Sequence, residues 1–147
     1  MRLSQKGEYG LLALLELARQ YGQGTVQASA IAERRDIPAQ YLQQILLTLR
    51  RAGLIRSERG PRGGHELARL PAEITLAEAV TALEGSTSPA ACVDPDAEPA
   101  CRQHGLCVLE EVWRRVDAAT QGILQEITLA ELARREQERD TAPMYHI

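Results

Sequence analysis

A long apolar helix that leads directly into a glycine-rich hairpin is the feature that most constrains how this 147-residue chain folds. Apolar residues recur at helical spacing after Pro38, namely Tyr41, Leu42, Ile45, Leu46 and Leu49. Gly53 is placed to end that helix. In the following segment, LIRSERGPRGGHELARL, glycines and a proline separate two short runs, which predicts a two-stranded hairpin with an arginine-bearing tip.

Two further helices precede this unit. Apolar spacing predicts the first over residues 4–21 and a short second one over 28–35. The turn Asp36-Ile37-Pro38 then leads into the third helix, since proline is tolerated in a first helical turn. The order is that of a winged helix-turn-helix, and the predicted fold class is mainly α with a small β-hairpin wing. Thr75 and Glu78 have capping-box spacing and predict a fourth helix that ends at Gly85, which completes a DNA-binding domain over residues 1–85.

The charge distribution favours nucleic acid as the partner of this domain. Residues 1–70 hold eleven Lys and Arg against six Asp and Glu, a balance of +5, whereas residues 71–147 hold six against fourteen, a balance of −8. In a helix-turn-helix the second helix of the pair lies in the major groove, where glutamine can contact adenine and arginine can reach phosphate. The candidate DNA-contacting residues are Gln40, Tyr41, Gln43, Gln44, Arg50 and Arg51 on this helix and Arg59 and Arg62 on the wing. Glycines beside Arg62 are expected to let the wing backbone approach a minor groove closely.

The rest of the chain divides into a loop, two helices and a tail. Residues 86–105 have no periodicity and form the one long loop, and residues 106–140 read as a long helix followed by a charged one that Thr128 and Glu131 cap. The long helix has an apolar stripe that its own small domain is too small to bury: Leu109, Val112, Trp113, Val116 and Ile123. We therefore predict that it is a dimerisation helix. Residues 141–147 are expected to be a disordered tail.

All three cysteines lie within sixteen residues of the loop region, at Cys92, Cys101 and Cys107. The N-terminus lacks an apolar signal sequence and no apolar run is long enough to cross a membrane, so a cytoplasmic location is expected. In a reducing cytosol a clustered, odd number of cysteines indicates metal binding or redox activity more often than disulfides. The chain has no nucleophile–base set, phosphate loop or carboxylate pair typical of an enzyme.

The sequence resembles the Rrf2 family of bacterial winged-helix transcription regulators. The resemblance rests on MRLSQKGEYGLLALLELA, IPAQYLQQILLTLRRAGLIRSERGPRGGHELAR and CVLEEVWRRVDAAT, and it covers roughly residues 1–125. It implies a homodimer with paired winged helices that binds palindromic-type sites in double-stranded promoter DNA. Arg62 stands where the family usually has glycine and His65 where it often has tyrosine, so the operator preference of this chain need not follow that of its relatives.

The resemblance also implies a cofactor. Many family members hold an iron–sulfur cluster with three cysteines of this loop, so Cys92, Cys101 and Cys107 become candidate ligands of a 2Fe–2S or 4Fe–4S cluster. Here the first gap is eight residues and the second five, and the first is longer than in the family. One branch of the family adds a histidine just after the third cysteine, where this chain has Leu109 and Glu110. Another uses a carboxylate from the partner subunit near the N-terminus, the position of Glu8, although an acid there can simply favour the helix dipole.

Two alternatives to the iron–sulfur cluster remain open. His104, with the three cysteines, would make a Cys₃His zinc site. The thiols could instead act without metal, as an oxidation-sensitive switch in a regulator that also binds a protein partner. The function expected from the sequence is that of a dimeric DNA-binding regulator, a repressor or dual regulator. Its promoter binding would respond through the cluster to redox state, nitric oxide or iron–sulfur status.

Overall fold

The structure is a computed structural model that describes residues 1–98 and 100–143. Over those ranges it contains six helices and one two-stranded antiparallel sheet. The helices are α1 (Gln5–Arg19), α2 (Ala28–Arg35), α3 (Ala39–Arg51), α4 (Leu76–Glu84), α5 (Val108–Glu126) and α6 (Leu129–Thr141), and the strands are β1 (Ile55–Glu58) and β2 (Gly64–Leu67). The predicted fold class is confirmed, although α1 is shorter at both ends than the predicted span of residues 4–21.

The helix-turn-helix depends on one unusual backbone conformation. Asp36 ends α2 with φ of 52°, in the left-handed region that aspartate adopts more readily than most residues. The turn buries Ile37 and presents Pro38 as the residue before α3. α3 then turns Leu42, Ile45 and the other apolar residues of its stripe into the core. The stripe predicted from the sequence therefore fixes which face of α3 points outward.

The wing is held against the domain by backbone contacts. Gly53, with φ of 76°, ends α3, and the strands pair with Ser57 opposite His65. His65 also exchanges two backbone hydrogen bonds of 2.8 Å with Val26. A Cβ at Gly63 would lie 2.3 Å from the carbonyl oxygen of Glu58, and the next glycine is similarly close to Val26. These two glycines therefore allow backbone segments of the protein itself to pack closely against each other.

The last helix shares the core of the DNA-binding unit. Leu129, at the start of α6, is 1% exposed and lies in the same apolar cluster as the buried residues of α1, α2 and α3. Thr75 and Thr128 form a bridge, and Leu129 N–H donates to the Ile74 carbonyl at 3.0 Å. The capping box predicted at Thr75 is confirmed in both directions, whereas at Thr128 the described contacts show its side chain accepting from Glu131 N–H. Residues 1–85 and α6 therefore pack as one body.

α1 and α4 approach each other very closely. A Cβ at Gly10 would lie 2.3 Å from a methyl carbon of Leu83, and one at Gly7 would lie 1.9 Å from the carboxylate of Glu84. Glu84 in turn accepts hydrogen bonds from the backbone and hydroxyl of Ser4, the residue that caps α1. A larger residue at either position would therefore have to displace the side chain of Glu84 or Leu83.

α5 has little of its surface covered. Its buried residues are Glu110 and Leu124, and the whole predicted stripe is exposed: Leu109, Val112, Trp113, Val116 and Ile123. Leu106 and Val108 extend the apolar surface toward the cysteine loop. Among the described residues no helix is both long and apolar enough to cross a membrane.

The loop and the tail also differ in detail from the prediction. In the described part of the predicted loop, residues 86–98 and 100–105, the structure has a 3₁₀ turn, Ala91–Val93, and further turns. α6 includes Thr141, the first residue of the predicted tail, and residues 144–147 lie outside the part of the chain that the structure describes.

Candidate nucleic-acid interface and cysteine loop

The outward face of α3 carries the predicted DNA-contacting residues. Gln40, Gln43 and Gln44 are exposed, as are Arg50 and Arg51 near the end of the helix. Tyr41 is half-buried and packs edge-on against Tyr9 of α1, with ring centroids 5.7 Å apart. The exposed glutamine side chains can therefore reach base edges, whereas part of the Tyr41 ring packs in the protein core.

The wing arginines are not equivalent. Arg56 forms a 2.9 Å ion pair with Glu66 across the hairpin, so its charge is partly neutralised within the protein. Arg59 and Arg62 are exposed in the turn between the strands, and the ion pairs found within residues 1–98 and 100–143 do not include them. The tip of the wing is held in place by a 3.0 Å hydrogen bond from the Thr25 hydroxyl to the Arg62 carbonyl.

A cleft of about 230 Å³ separates the outward face of α3 from the wing. It is lined by Gln43, Leu46, Leu47, Arg50, Ser57 and His65. The Ser57 hydroxyl and His65 Nδ1 are 2.8 Å apart, within hydrogen-bond distance. Burial, and then the charge of Arg50, lower the pKa of the His65 imidazole below its ordinary value. In the sequence, His65 is notable only because the family often has tyrosine at this position. Its pairing with Ser57 can be seen only once the strand register is known.

A buried carboxylate joins the helix-turn-helix to the last helix. Glu16 of α1 is 5% exposed and accepts from Arg34 and Arg35 of α2, each at 2.9 Å. Arg35 also donates to both carboxylate oxygens of Glu136 on α6, at 2.6 and 2.8 Å. The hydrogen bond from Arg35 lowers the pKa of the Glu136 carboxyl, and the same contact raises the pKa of the Arg35 guanidinium. Sequence reasoning missed this network because the bonded residues Arg35 and Glu136 lie 101 positions apart.

The cysteines occupy the segment between α4 and α5. Cys92 lies in the 3₁₀ turn and Cys107 immediately precedes α5, both half-buried, whereas Cys101 is exposed. All three are free thiols. Within the described ranges no group of three or more His, Cys, Asp or Glu side chains is positioned to bind a metal ion. Thiolates and an imidazole such as that of His104 are suitable ligands for an iron–sulfur cluster or for zinc. Within the described residues of one subunit, however, they are not arranged as a metal site.

Glu110 fixes the end of the cysteine loop to α5. Its carboxylate is buried, accepts from the Gly105 N–H at 2.7 Å and pairs with Arg114. These two donors, Arg114 first, lower the pKa of the carboxyl. His104 Nδ1 lies 3.4 Å from the same carboxylate, so His104 points one nitrogen toward Glu110. In the sequence, Glu110 is notable only because it lies where one branch of the family has a histidine ligand. Nothing in the sequence indicates that it anchors the loop.

Glu8 lies at the edge of an apolar cleft. It is exposed in the first turn of α1. The cleft, of about 460 Å³, lies between α1, α4 and α6 and is otherwise lined by leucines: Leu3, Leu11, Leu12, Leu15, Leu76, Leu129 and Leu132. The leucine side chains therefore form an apolar concave surface beside Glu8.

The helix pair, the hairpin wing and the basic outward face together define the class of winged-helix DNA-binding proteins. The chain belongs to the Rrf2 family, whose model, described as an iron-dependent transcriptional regulator, matches residues 3–135. The resemblance inferred from the sequence is confirmed. Members of this family are transcriptional regulators, so the prediction that the chain is no enzyme is confirmed as well.

Similar proteins are found at both the sequence and the structure level. The HTH-type transcriptional regulator CymR of Bacillus subtilis is 36% identical over 147 residues, which is 100% of both chains. The solved structure of T. potens IscR has a TM-score of 0.78 and 34% identity, covering 99% of this chain and 95% of that one. The oxidised form of Staphylococcus aureus CymR has a TM-score of 0.70 and 34% identity, with 90% and 96% covered.

Proposed function

We propose that the protein is a cytoplasmic, dimeric regulator that binds promoter DNA under the control of an iron–sulfur cluster. The observation that carries the DNA-binding part is the outward surface formed by the exposed glutamines of α3 and the exposed wing arginines, Arg59 and Arg62. Exposed glutamine suits base readout in the major groove, and arginines at a wing tip suit phosphate or minor-groove contact. Arg50 and Arg51 extend the same surface toward the DNA backbone.

Dimerisation is proposed through two apolar surfaces of the same chain. One is the exposed stripe of α5 that includes Val112, Trp113 and Val116, and the other is the leucine-lined cleft between α1, α4 and α6. Burying exposed apolar area is the main favourable term in protein association, at roughly 25 cal/mol per Å². If the α5 of a second copy packed against these two surfaces, both would be buried in the dimer. This packing would also bring the α5 of one subunit, and the Cys107 before it, toward the partner subunit's Glu8.

The cluster is proposed to be held by Cys92, Cys101 and Cys107, with the partner subunit's Glu8 as fourth ligand. An iron–sulfur cluster would supply a redox-active centre held by thiolates. The family description as iron-dependent supports this assignment, as does the position of Glu8 beside the cleft proposed for the partner. Cys107 and Glu110 would connect the site to α5, because one precedes this helix and the other anchors its first turn to Gly105.

A metal-free thiol switch is the second candidate function. It is favoured by the exposure of Cys101. A similar protein, S. aureus CymR, is known in an oxidised form. Exposed thiols are the ones that oxidants reach first. The third alternative, Cys₃His zinc, would require His104 to bind metal through Nε2 while Nδ1 faces Glu110, an arrangement that metal-binding histidines commonly adopt.

The wing assignment predicts a change in salt dependence. Arg59→Ala and Arg62→Ala should each weaken DNA binding and reduce the slope of log K against log salt by about one for each phosphate that the variant no longer neutralises. Fluorescence anisotropy at several salt concentrations measures this slope on a duplex that the wild type selects from a random pool. Arg139→Ala is the matched control, because it removes the same charge from the exposed end of α6. Unchanged slopes in both wing variants would contradict the assignment.

The cluster assignment predicts coloured protein. Protein purified without oxygen should be brown and contain iron and acid-labile sulfide, and alanine at Cys92, Cys101 or Cys107 should abolish the colour. Glu8→Ala should make the cluster more labile or alter its spectrum, while His104→Ala serves as a control that retains it. DNA affinity should differ between the cluster-loaded and cluster-free forms, since a ligand shifts only states that it binds unequally.

Other outcomes of this experiment identify the alternatives. Zinc without sulfide, dependent on His104, would establish the Cys₃His site. Colourless, metal-free protein whose DNA affinity responds to peroxide would establish the thiol switch. Equal DNA affinity with and without a cluster would remove its regulatory role.

A further inference from the structure

The cleft between α3 and the wing has the composition of an anion site. Arg50 contributes a guanidinium, Ser57 a hydroxyl and His65 an imidazole, and Gln43 adds an amide. Among the described residues that line it, Arg50 is the one group with a permanent charge, and no carboxylate faces it there. The volume of about 230 Å³ is several times the roughly 30 Å³ that a water molecule occupies in the liquid, so a phosphodiester group fits.

The position of the cleft places it on the proposed DNA-binding surface. Gln43, Leu47 and Arg50 are spaced four and three residues apart, so they form one stripe along α3. Ser57 and His65 are directly opposite each other in the hairpin, and their side chains share one face of it. The cleft therefore joins the helix expected to read bases to the wing expected to contact the backbone.

We propose that this cleft binds one backbone phosphate of the DNA through Arg50, Ser57 and His65, and that His65 takes up a proton when it does so. The proposal rests on the DNA-binding function proposed above and adds a phosphate site and a pH dependence to it. The ligand is a phosphodiester of double-stranded DNA.

The charges around His65 determine the direction of the effect. Arg50 faces it from α3 and the neutral hydroxyl of Ser57 from β1, while the segment before α2 contacts it through the backbone of Val26. Glu58 and Glu66 lie on the other face of the hairpin by strand alternation, where Glu66 pairs with Arg56. Without DNA, burial and Arg50 lower the His65 pKa and keep the ring neutral near pH 7. A phosphate in the cleft would favour the charged ring and raise that pKa.

Protonation would also change the hydrogen bonding within the pair. In the charged imidazole both nitrogens are donors, so Nδ1–H donates to the Ser57 oxygen, 2.8 Å away. The Ser57 hydroxyl hydrogen is then free to donate to a phosphate oxygen, as is His65 Nε2–H. Because the pKa of the bound form is the higher one, DNA affinity should rise as the pH falls, by at most about tenfold per pH unit for each histidine.

The test measures DNA affinity against pH at constant ionic strength, between about pH 5.5 and 8.5, around the range in which histidine titrates. The probe is a duplex that the wild-type protein enriches from a random pool. Wild-type affinity should increase toward low pH, H65Q should flatten that dependence while still binding the duplex, and S57A should reduce it. H146Q is the control, because it removes the histidine near the C-terminal end of the sequence, which neither this proposal nor the cysteine site uses, and it should keep the wild-type slope.

A second measurement avoids any folding defect in the variants. The His65 ring signals of the wild type, followed by NMR with and without the duplex, should show a higher pKa in the complex. A pH dependence that is the same in H65Q and wild type, or a His65 pKa that DNA does not raise, would overturn the proposal. If the pool yields no enriched duplex, the proposed DNA-binding function itself fails.

Discussion

Val116→Glu is expected to convert the proposed dimer into monomers and to lower affinity for palindromic sites by at least about a thousandfold, the lower end of the usual gap between specific and non-specific binding. Val116 is 42% exposed in the middle of the apolar stripe of α5. An unpaired carboxylate there would have to be buried in the proposed interface, which costs far more than the apolar contact returns. A monomer would then reach one half-site only. Sedimentation velocity gives the oligomeric state, and anisotropy on the selected duplex gives the affinity.

Ala118→Glu is the matched control for this change. Position 118 is exposed on the same helix but about 200° around its axis from Val116, away from the stripe. The same added charge should leave the dimer intact. A wild type that sediments as a monomer at micromolar concentration, or a Val116→Glu variant that remains a dimer, would contradict the interface.

Glu16→Ala is expected to lower the free energy of unfolding by about 1.5–3 kcal/mol, the usual contribution of hydrogen bonds to charged groups, because Arg35 keeps its pairing with Glu136. The substitution leaves Arg35, whose side chain is 11% exposed, without one of its two carboxylate partners. It also removes a partner of Arg34. The effect should appear in urea unfolding as a lower midpoint at an unchanged slope.

The control for Glu16 is an exposed ion pair. Glu138 pairs with Arg134 on α6, and both side chains are about 60% exposed. Glu138→Ala should therefore change stability by less than about 1 kcal/mol. If Glu16→Ala proves equally mild, the buried network does not hold α1, α2 and α6 together in the way its geometry indicates.

The secondary structure was largely predictable because its signals are local. The apolar spacing of α3, the glycine and proline pattern of the wing and the Thr75–Glu78 capping box each involve residues a few positions apart. Propensity and periodicity act over that range, and the predicted bounds of α2 match the observed helix, Ala28–Arg35. The exposed stripe of α5 was predictable for the same reason.

The contacts that sequence reasoning missed are those between distant segments. The link from Arg35 to Glu136 spans 101 positions, and no periodicity relates two such residues. The Ser57–His65 pair depends on strand register, which a one-residue slip would change. The arrangement of the cysteine loop could not be derived because glycine, proline and polar residues leave many backbone conformations open. The ligand role of Glu8 stays a prediction, since it requires a second subunit.

The pairing of Thr75 with Thr128 has a mechanical consequence. Together with the bonds from Leu76 to Ile127 and from Leu129 to Ile74, it clamps the C-terminal end of α5 to the domain that carries the wing. The helix extends about 28 Å from that clamp, and most of its free length is uncovered within one subunit. Within one subunit α5 is attached to the domain at its C-terminal end and is continuous with the cysteine loop at its N-terminal end. We expect a small tilt of α5 at this attachment to produce a larger displacement at Cys107. In the same way, we expect a movement of the cysteine loop to be transmitted along α5 to the DNA-binding domain at Thr75 and Thr128.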